Sequence, residues 1–446
     1  MRFAKLLIIG LLSLPTLLLA QMTMTYDHDL LNYNRGLELF EKQKFGAAKT
    51  QFEHSILTVD DQNSEISANA HFYAAACAIE LFHKDAEFLL KEFIRNYSTS
   101  PRSSEAWFLL GNFNYRKKDW QDAINYYDEI SASDLPEPER SEYLFKKGYS
   151  YFQEEDLEQS ADQFFQMKNE SSIYYAPGVY YFAHINYEQG NYATALKSFQ
   201  SLENHPQFGE VIPYYIVQIY HFQEEYDNLI GYGKPFLEEE DVKRKAEISR
   251  LVGEALYHKL AYNEAIPFLE NFMESRLPKQ GDDYYVLGYS YFRNNNFDKA
   301  AEQFSKISYS EDLLGQNASY HLGETYLKAN KKSYARNAYR SASRMDFDAG
   351  LKEDALFKYA QLSYELSYDP YDGAIDAFKE YIDAYPNTER TQEAFDYLVN
   401  IYLTSKNYDA ALASIEDYEN PDLRLQEAYQ RIAYNKGISL FQDRLY

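Results

Sequence analysis

The chain has 446 residues, 45% hydrophobic and 25% charged, which is ample for a core and too long for one compact core unless the chain is modular. Its 69 Asp and Glu against 44 Lys and Arg give a net charge of −25, and a surface of that sign repels phosphate backbones and anionic lipid, so nucleic acid is excluded as the expected partner. Tyrosine is the outlier: 45 Tyr and 29 Phe stand beside 2 Trp, a composition suited to long half-buried surfaces, because tyrosine packs its ring and leaves its hydroxyl in water.

The N-terminus, MRFAKLLIIGLLSLPTLLLAQ, has Arg2 and Lys5 before an apolar run from Leu6 to Leu19, with a cleavage point after Ala20. Residues 1–20 read as a signal peptide, short for a membrane span. No other segment is apolar for long enough to span, and no cysteine lies near Ala20 to carry a lipid. The expectation is a periplasmic or secreted protein without a transmembrane anchor after cleavage. The one cysteine, Cys77 in FYAAACAIELF, reads as a buried small hydrophobe.

From there the chain reads as paired amphipathic helices. The first pair lies in YNRGLELFEKQKFGAAKTQF, with Phe45, Ala48 and Phe52 on the second helix. The second turns at Leu81–Asp85, and the third, AWFLLGNFNYRKKDWQDAINYY, places Trp107 and Trp120 at aromatic positions. The fourth has Gly148, Tyr151 and Phe164; the fifth turns at Gly190-Asn191 before Tyr192, Ala195 and Phe199. The sixth is irregular: Gly231, Gly233 and Pro235 fall within its second helix, and Leu229 stands where a small residue is usual. Glycine and proline lower helix stability by roughly 1 and 3 kcal/mol in a helix interior, so a kink or hinge is expected near 227–241. In the seventh, Pro267 is read near the first turn of the second helix, where proline is tolerated.

The eighth pair, Asp282–Ile307, is the most regular. Tyr284, Leu287, Gly288 and Tyr291 share one helix face, Asn294-Asn295-Asn296 makes a turn, and Phe297, Ala300, Phe304 and Ile307 make a second apolar stripe. Gly288 and Ala300 are small because helix axes about 8–10 Å apart leave little room at the crossing. The ninth and eleventh pairs repeat the scheme with Tyr326, Ala335, Tyr339 and with Tyr402, Tyr408, Ala411, while the tenth has an enlarged turn at Ser367–Asp372. Ala433–Tyr446 then resembles Asn32–Phe45, either as an unpaired cap or, the favoured reading, as part of a longer array.

This pattern resembles the tetratricopeptide repeat (TPR), in which a large aromatic, Leu-Gly, Tyr, Ala and Phe recur over about 34 residues. Numbering each repeat so that the small residue is position 8 puts Gly36, Ala75, Gly111, Gly148, Ala183, Val217, Gly253, Gly288, Gly323, Ala360, Val399 and Gly437 there. The resemblance implies an all-α TPR solenoid, a right-handed superhelix of helix–turn–helix repeats spanning residues 21–446, with about eleven repeats and a partial twelfth.

The nine histidines are dispersed, with no HExxH, Cys/His cluster, P-loop, GxSxG or GxGxxG. No metal, cofactor or catalytic residue is therefore expected, and the chain reads as a non-enzyme. In TPR proteins ligands lie in a concave groove lined by the first helices. By that resemblance the groove positions hold Phe145, Tyr149 and Phe152 in the fourth repeat, Tyr180, His184 and Tyr187 in the fifth, Tyr285, Tyr289 and Phe292 in the eighth, and Tyr320 and Glu324 in the ninth. Such rings either hold an extended peptide or pack between adjacent repeats. The TPRs that clamp a terminal carboxylate are not matched, because Phe108 accompanies Asn112 where that clamp needs polar groups.

The signal peptide, acidity and tyrosine content are similar to those of large exported TPR proteins of the Bacteroidota. The resemblance implies a non-catalytic scaffold binding protein or peptide partners in the cell envelope. The alternative is a glycan- or nutrient-binding accessory protein of the outer membrane, disfavoured by the missing lipid-attachment cysteine and the lack of a large insertion.

Overall fold

The computed structural model describes residues 28–137, 139–167, 172–238, 243–366, 372–386, 388–405, 408–416 and 423–442. The expected signal peptide, residues 367–371 of the enlarged turn and residues 239–241 of the expected hinge lie outside the described residues. Among the described residues there are 23 α-helices and no strand. Two compact units divide the chain, Met1–Ile212 and Pro213–Tyr446.

The first unit pairs α1 (His28–Glu41) with α2 (Phe45–Thr58), α3 (Glu65–Glu80) with α4 (Ala86–Asn96), α5 (Ser103–Lys117) with α6 (Trp120–Tyr127), α7 (Glu139–Gln153) with α8 (Leu157–Gln166), and α9 (Tyr175–Glu188) with α10 (Tyr192–Gln200). The second begins within α11 (Ile212–Phe222), which pairs with α12 (Tyr226–Leu237). It continues with α13 (Lys245–His258) and α14 (Tyr262–Glu274), α15 (Gly281–Arg293) and α16 (Phe297–Ser305), α17 (Leu313–Lys328) and α18 (Lys332–Ser343), and α19 (Ala349–Leu366) and α20 (Asp372–Ala384). The last are α21 (Glu389–Ser405) with α22 (Tyr408–Glu416), and α23 (Leu423–Gln442). Within each unit, first helices also touch the first helix of the next repeat, as in α5 with α7, α7 with α9, α13 with α15 and α15 with α17.

One size rule holds the pairs together. A Cβ on Gly36 would meet the Phe52 ring at 2.7 Å, one on Gly111 the Tyr127 ring at 2.3 Å, one on Gly288 the Phe304 ring at 3.1 Å, and one on Gly323 the Tyr339 ring at 2.7 Å. In each case the ring comes sixteen residues after the glycine, at position 24. Phe52, Tyr127, Phe304 and Tyr339 are fully buried there, each burial contributing roughly 1.5–3 kcal/mol.

The turns obey a second rule. Gln43, Phe82, Lys118, Glu155, Gly190, Glu224, Leu260, Asn295 and Asn330 all have positive φ, and each follows its position-8 residue by seven. In the eighth repeat Asn296 N–H donates to Tyr291 O at 2.9 Å and Asn295 N–H to Phe292 O at 3.0 Å, which closes α15 around a left-handed residue. Asn296 then caps α16 by accepting from Lys299 N–H at 3.4 Å. Two of the three consecutive asparagines thus have separate structural tasks.

The sixth repeat departs from the size rule in an ordered way. Val217 stands at position 8, and Gly233 stands at position 24 where a ring is usual. Both are buried, and α12 continues from Tyr226 to Leu237 with Pro235 inside it. Pro267 is the sixth residue of α14 rather than a first-turn residue, because that helix starts at Tyr262. Position 8 of α23 is Gly437, and among the described residues no atom beyond its own stretch of helix lies within 4 Å of where its Cβ would be.

Candidate functional site

In the first unit, α7 and α9 set their groove residues side by side. Phe145, Tyr149 and Phe152 follow one face of α7, and the ring of Tyr181 from α9 lies 6.3, 5.3 and 5.1 Å from them. Tyr149 also touches Tyr115 and Trp120 of the preceding repeat at 5.9 and 5.7 Å. On the other side Phe152 lies 6.4 Å from His184, which is 6.2 Å from Tyr180 and 6.4 Å from Tyr187. Tyr180 stacks on Phe208 at 5.0 Å. The six expected groove residues of these repeats therefore belong to one run of rings, all of them half-buried. Burial pushes the Tyr181 phenol up to about 12, so that ring is uncharged at neutral pH.

The second unit builds a counterpart on α15 and α17, centred on His321. Its imidazole lies 5.9 Å from Tyr285, 5.1 Å from Tyr289, 6.2 Å from Phe292 and 5.5 Å from Tyr320, and it stacks on Phe304 at 6.0 Å. Burial lowers the His321 pKa to about 4, and its buried Nδ1 has no hydrogen-bond partner among the described residues. Tyr289 extends the run to Tyr257 and Tyr262 at 5.8 and 5.7 Å.

Tyr320 and Glu324 face a polar network rather than more rings. Lys358 Nζ donates to Tyr320 Oη at 2.8 Å and to Glu324, and pairs with Asp354 at 3.0 Å. The Tyr320 and Tyr339 hydroxyls donate to Asp354 and Glu324, and Arg390 reaches Asp354 at 2.6 Å. Burial favours a protonated Glu324, but the hydrogen bonds from Lys358 and Tyr339 outweigh it and the pKa is lowered.

Sequence reasoning missed the residue at position 6. Tyr73 stacks on Phe52 at 5.2 Å, Tyr181 on Phe164 at 5.7 Å, His321 on Phe304 at 6.0 Å and Tyr397 on Phe378 at 5.0 Å. In the first three of these the ring that fills the glycine notch, of Gly36, Gly148 or Gly288, is covered on its face by position 6 of the next repeat, and in the tenth repeat, where Ala360 stands at position 8, Phe378 is covered in the same way. The signal was the doublets Phe72-Tyr73, Tyr180-Tyr181 and Tyr320-His321, in which the second member reaches back.

Residues 83–136 and 119–168 match the family described as Tetratricopeptide repeat, as do residues 354–388. This chain carries tetratricopeptide repeats. A further match, over 258–342, is to the family described as Anaphase-promoting complex, cyclosome, subunit 3. No curated protein matches the sequence. Among solved structures, the C-terminal part of a TPR repeat-containing protein from Cytophaga hutchinsonii is similar at 13% identity over 65% of this chain and 99% of that one, with a TM-score of 0.29. A TPR protein from Parabacteroides merdae is 12% identical over 59% of this chain and 98% of that one, with a TM-score of 0.34. The structure of Naa15/Naa10 bound to HypK-THB is 12% identical over 94% of this chain and 66% of that one, with a TM-score of 0.44. TPR arrays are protein–protein interaction scaffolds, and among the described residues of this one no helix is long and apolar enough to cross a membrane.

Proposed function

We propose that this TPR protein is an exported, non-catalytic scaffold that docks extended segments of partner proteins in the cell envelope. The observation that carries the reading is the half-buried run of rings on first helices in each unit, from Tyr115 to Tyr187 and from Tyr257 to Tyr320. Rings held by their neighbours lose little freedom on binding, and each keeps part of its surface for a partner. Affinity capture from envelope extract with the mature chain tests this. A partner retained by the native chain and by Tyr309→Ala, whose ring is 78% exposed away from these runs, should be lost with Tyr149→Ala or Tyr289→Ala. Retention by every variant would remove the grooves from the function. Export is tested by N-terminal sequencing of the native protein, where intact Met1 would end the envelope assignment. Oligosaccharide quenching of Trp120, 5.7 Å from Tyr149, would instead favour a glycan ligand.

A further inference from the structure

Three consecutive first helices of the second unit converge on Glu254. Within α13, Arg250 Nη1 donates to Glu254 Oε1 at 2.6 Å. From α11, His221 Nε2 stands 3.8 Å from Glu254 Oε2. From α15, Asp283 Oδ1 lies 3.7 Å from the same Arg250 nitrogen. The Glu254 side chain is 12% exposed and that of Asp283 4%, while Arg250 is 36% exposed.

Charge in this cluster is unbalanced. Burial lowers the His221 pKa, with Arg250 and His258 lowering it further and Glu224 opposing, so the imidazole is neutral at pH 7. One guanidinium then faces two carboxylates, with the exposed Asp282 at the rim. Burial raises the Glu254 carboxyl to about 7; Arg250 opposes this, and Asp283 and Asp282 reinforce it. The Gln280 N–H donates to Asp283 Oδ2 at 2.6 Å, but Oδ1 is buried and has no hydrogen bond among the described residues. Among the described residues the one cation acting on Glu254 is Arg250, and a second one carrying N–H donors would balance the two carboxylates.

We infer that the cluster of Glu254 and Asp283 receives a basic side chain, lysine or arginine, of a docked protein segment. This rests on reading the first-helix face as the docking groove. Charge complementarity selects the occupant: an acidic segment would meet the Glu254, Asp282 and Asp283 carboxylates on a chain of net charge −25. Tyrosine rings of this unit already hold cations, with Arg244 over Tyr214 at 4.2 Å and Arg293 over Tyr262 at 4.9 Å. Tyr257 and Tyr289, 5.8 Å apart, give apolar rests for residues flanking the basic one. The incoming cation meets Glu254 first and shares Asp283 with Arg250, and the Glu254 proton leaves to solvent as it binds.

Calorimetric titration of the full chain with the peptide Ac-Tyr-Ala-Lys-Ala-Tyr-NH2 and its norleucine counterpart, in two buffers of different ionisation enthalpy at pH 7, tests the inference. The lysine peptide should bind about tenfold more tightly, as one charge-assisted hydrogen bond provides, and release a fraction of a proton. Glu254→Gln should abolish both the preference and the proton release; Asp283→Asn should weaken the preference. Asp283 also serves the start of α15, so if that variant fails to fold, Asp282→Asn replaces it. Equal binding of the two peptides would overturn the basic site and leave the docking groove standing. A lysine preference unchanged in Glu254→Gln would also overturn it. Binding of neither peptide overturns it too, and the capture experiment with Tyr289→Ala then decides separately whether the groove docks protein at all.

Discussion

Val217 and Gly233 exchange the sizes that neighbouring repeats assign to their positions. A Cβ on Gly233 would lie 3.3 Å from Val217 Cγ1 and 2.7 Å from Val252 Cγ2, so the glycine in α12 accommodates valines from both helices beside it. Gly233→Leu should destabilise the chain by roughly 1–3 kcal/mol through overpacking. Adding Val217→Gly should recover part of that loss, because the pair is then restored to the order of its neighbours. Denaturant melts of the single and double variants measure the coupling, and strict additivity would mean that the two sites do not share one notch.

The same helix should open before its neighbours. Pro235 offers no N–H to the carbonyl four residues earlier, and Gly231 adds backbone freedom without a packing role, since nothing lies within 4 Å of its Cβ position. Native-state hydrogen exchange should therefore be faster in 231–238 than in α15 around Gly288. Equal protection would leave the glycine and proline as a fixed irregularity and remove the hinge.

Leu260 occupies the left-handed turn position with φ 61° and is 68% exposed. Left-handed backbone costs an ordinary residue roughly 1–2 kcal/mol, and glycine avoids that cost. Leu260→Gly should raise the melting temperature of the second unit, and Asn295→Gly should change it less because asparagine tolerates this region. A lower melting temperature for Leu260→Gly would show that its side chain contributes packing.

His321 should make the second unit sensitive to acid. Its folded pKa, about 4, lies below the ordinary 6.5, so between these values the unfolded chain binds a proton that the folded one does not. Stability is then fully present above about pH 6.5, falls as pH drops towards 4, and loses no more from this group below that, a total on the order of 3 kcal/mol. His321→Phe should flatten that part of the pH–stability profile, and an unchanged slope would assign the acid sensitivity to other groups.

The array was legible because its local rules are short-range. A small residue, a turn seven positions on and a large side chain sixteen positions on sit within one helical hairpin, so Gly288, Asn295 and Phe304 can be read from one stretch. The groove candidates were legible as positions. Their surroundings were not: Tyr181 and His321 reach back to the preceding repeat, and sequence spacing alone does not say which neighbour a ring covers. Glu324 read as a groove carboxylate, but its partners Tyr339 and Lys358 come from two other helices.

By itself the sequence determined the helices, their pairing and the repeat period, because amphipathic spacing and the glycine–ring complement act between residues fewer than about 20 positions apart. Tertiary structure decided how ring faces and charges meet. Glu254 gathers His221, Arg250 and Asp283 from three helices, and a carboxylate's charge state depends on how much water and how many cations those helices leave around it. The sixth repeat shows both levels at once. Gly233 reads locally as a weakness in a helix, and only the valines packed on either side of α12 make it a fitted contact.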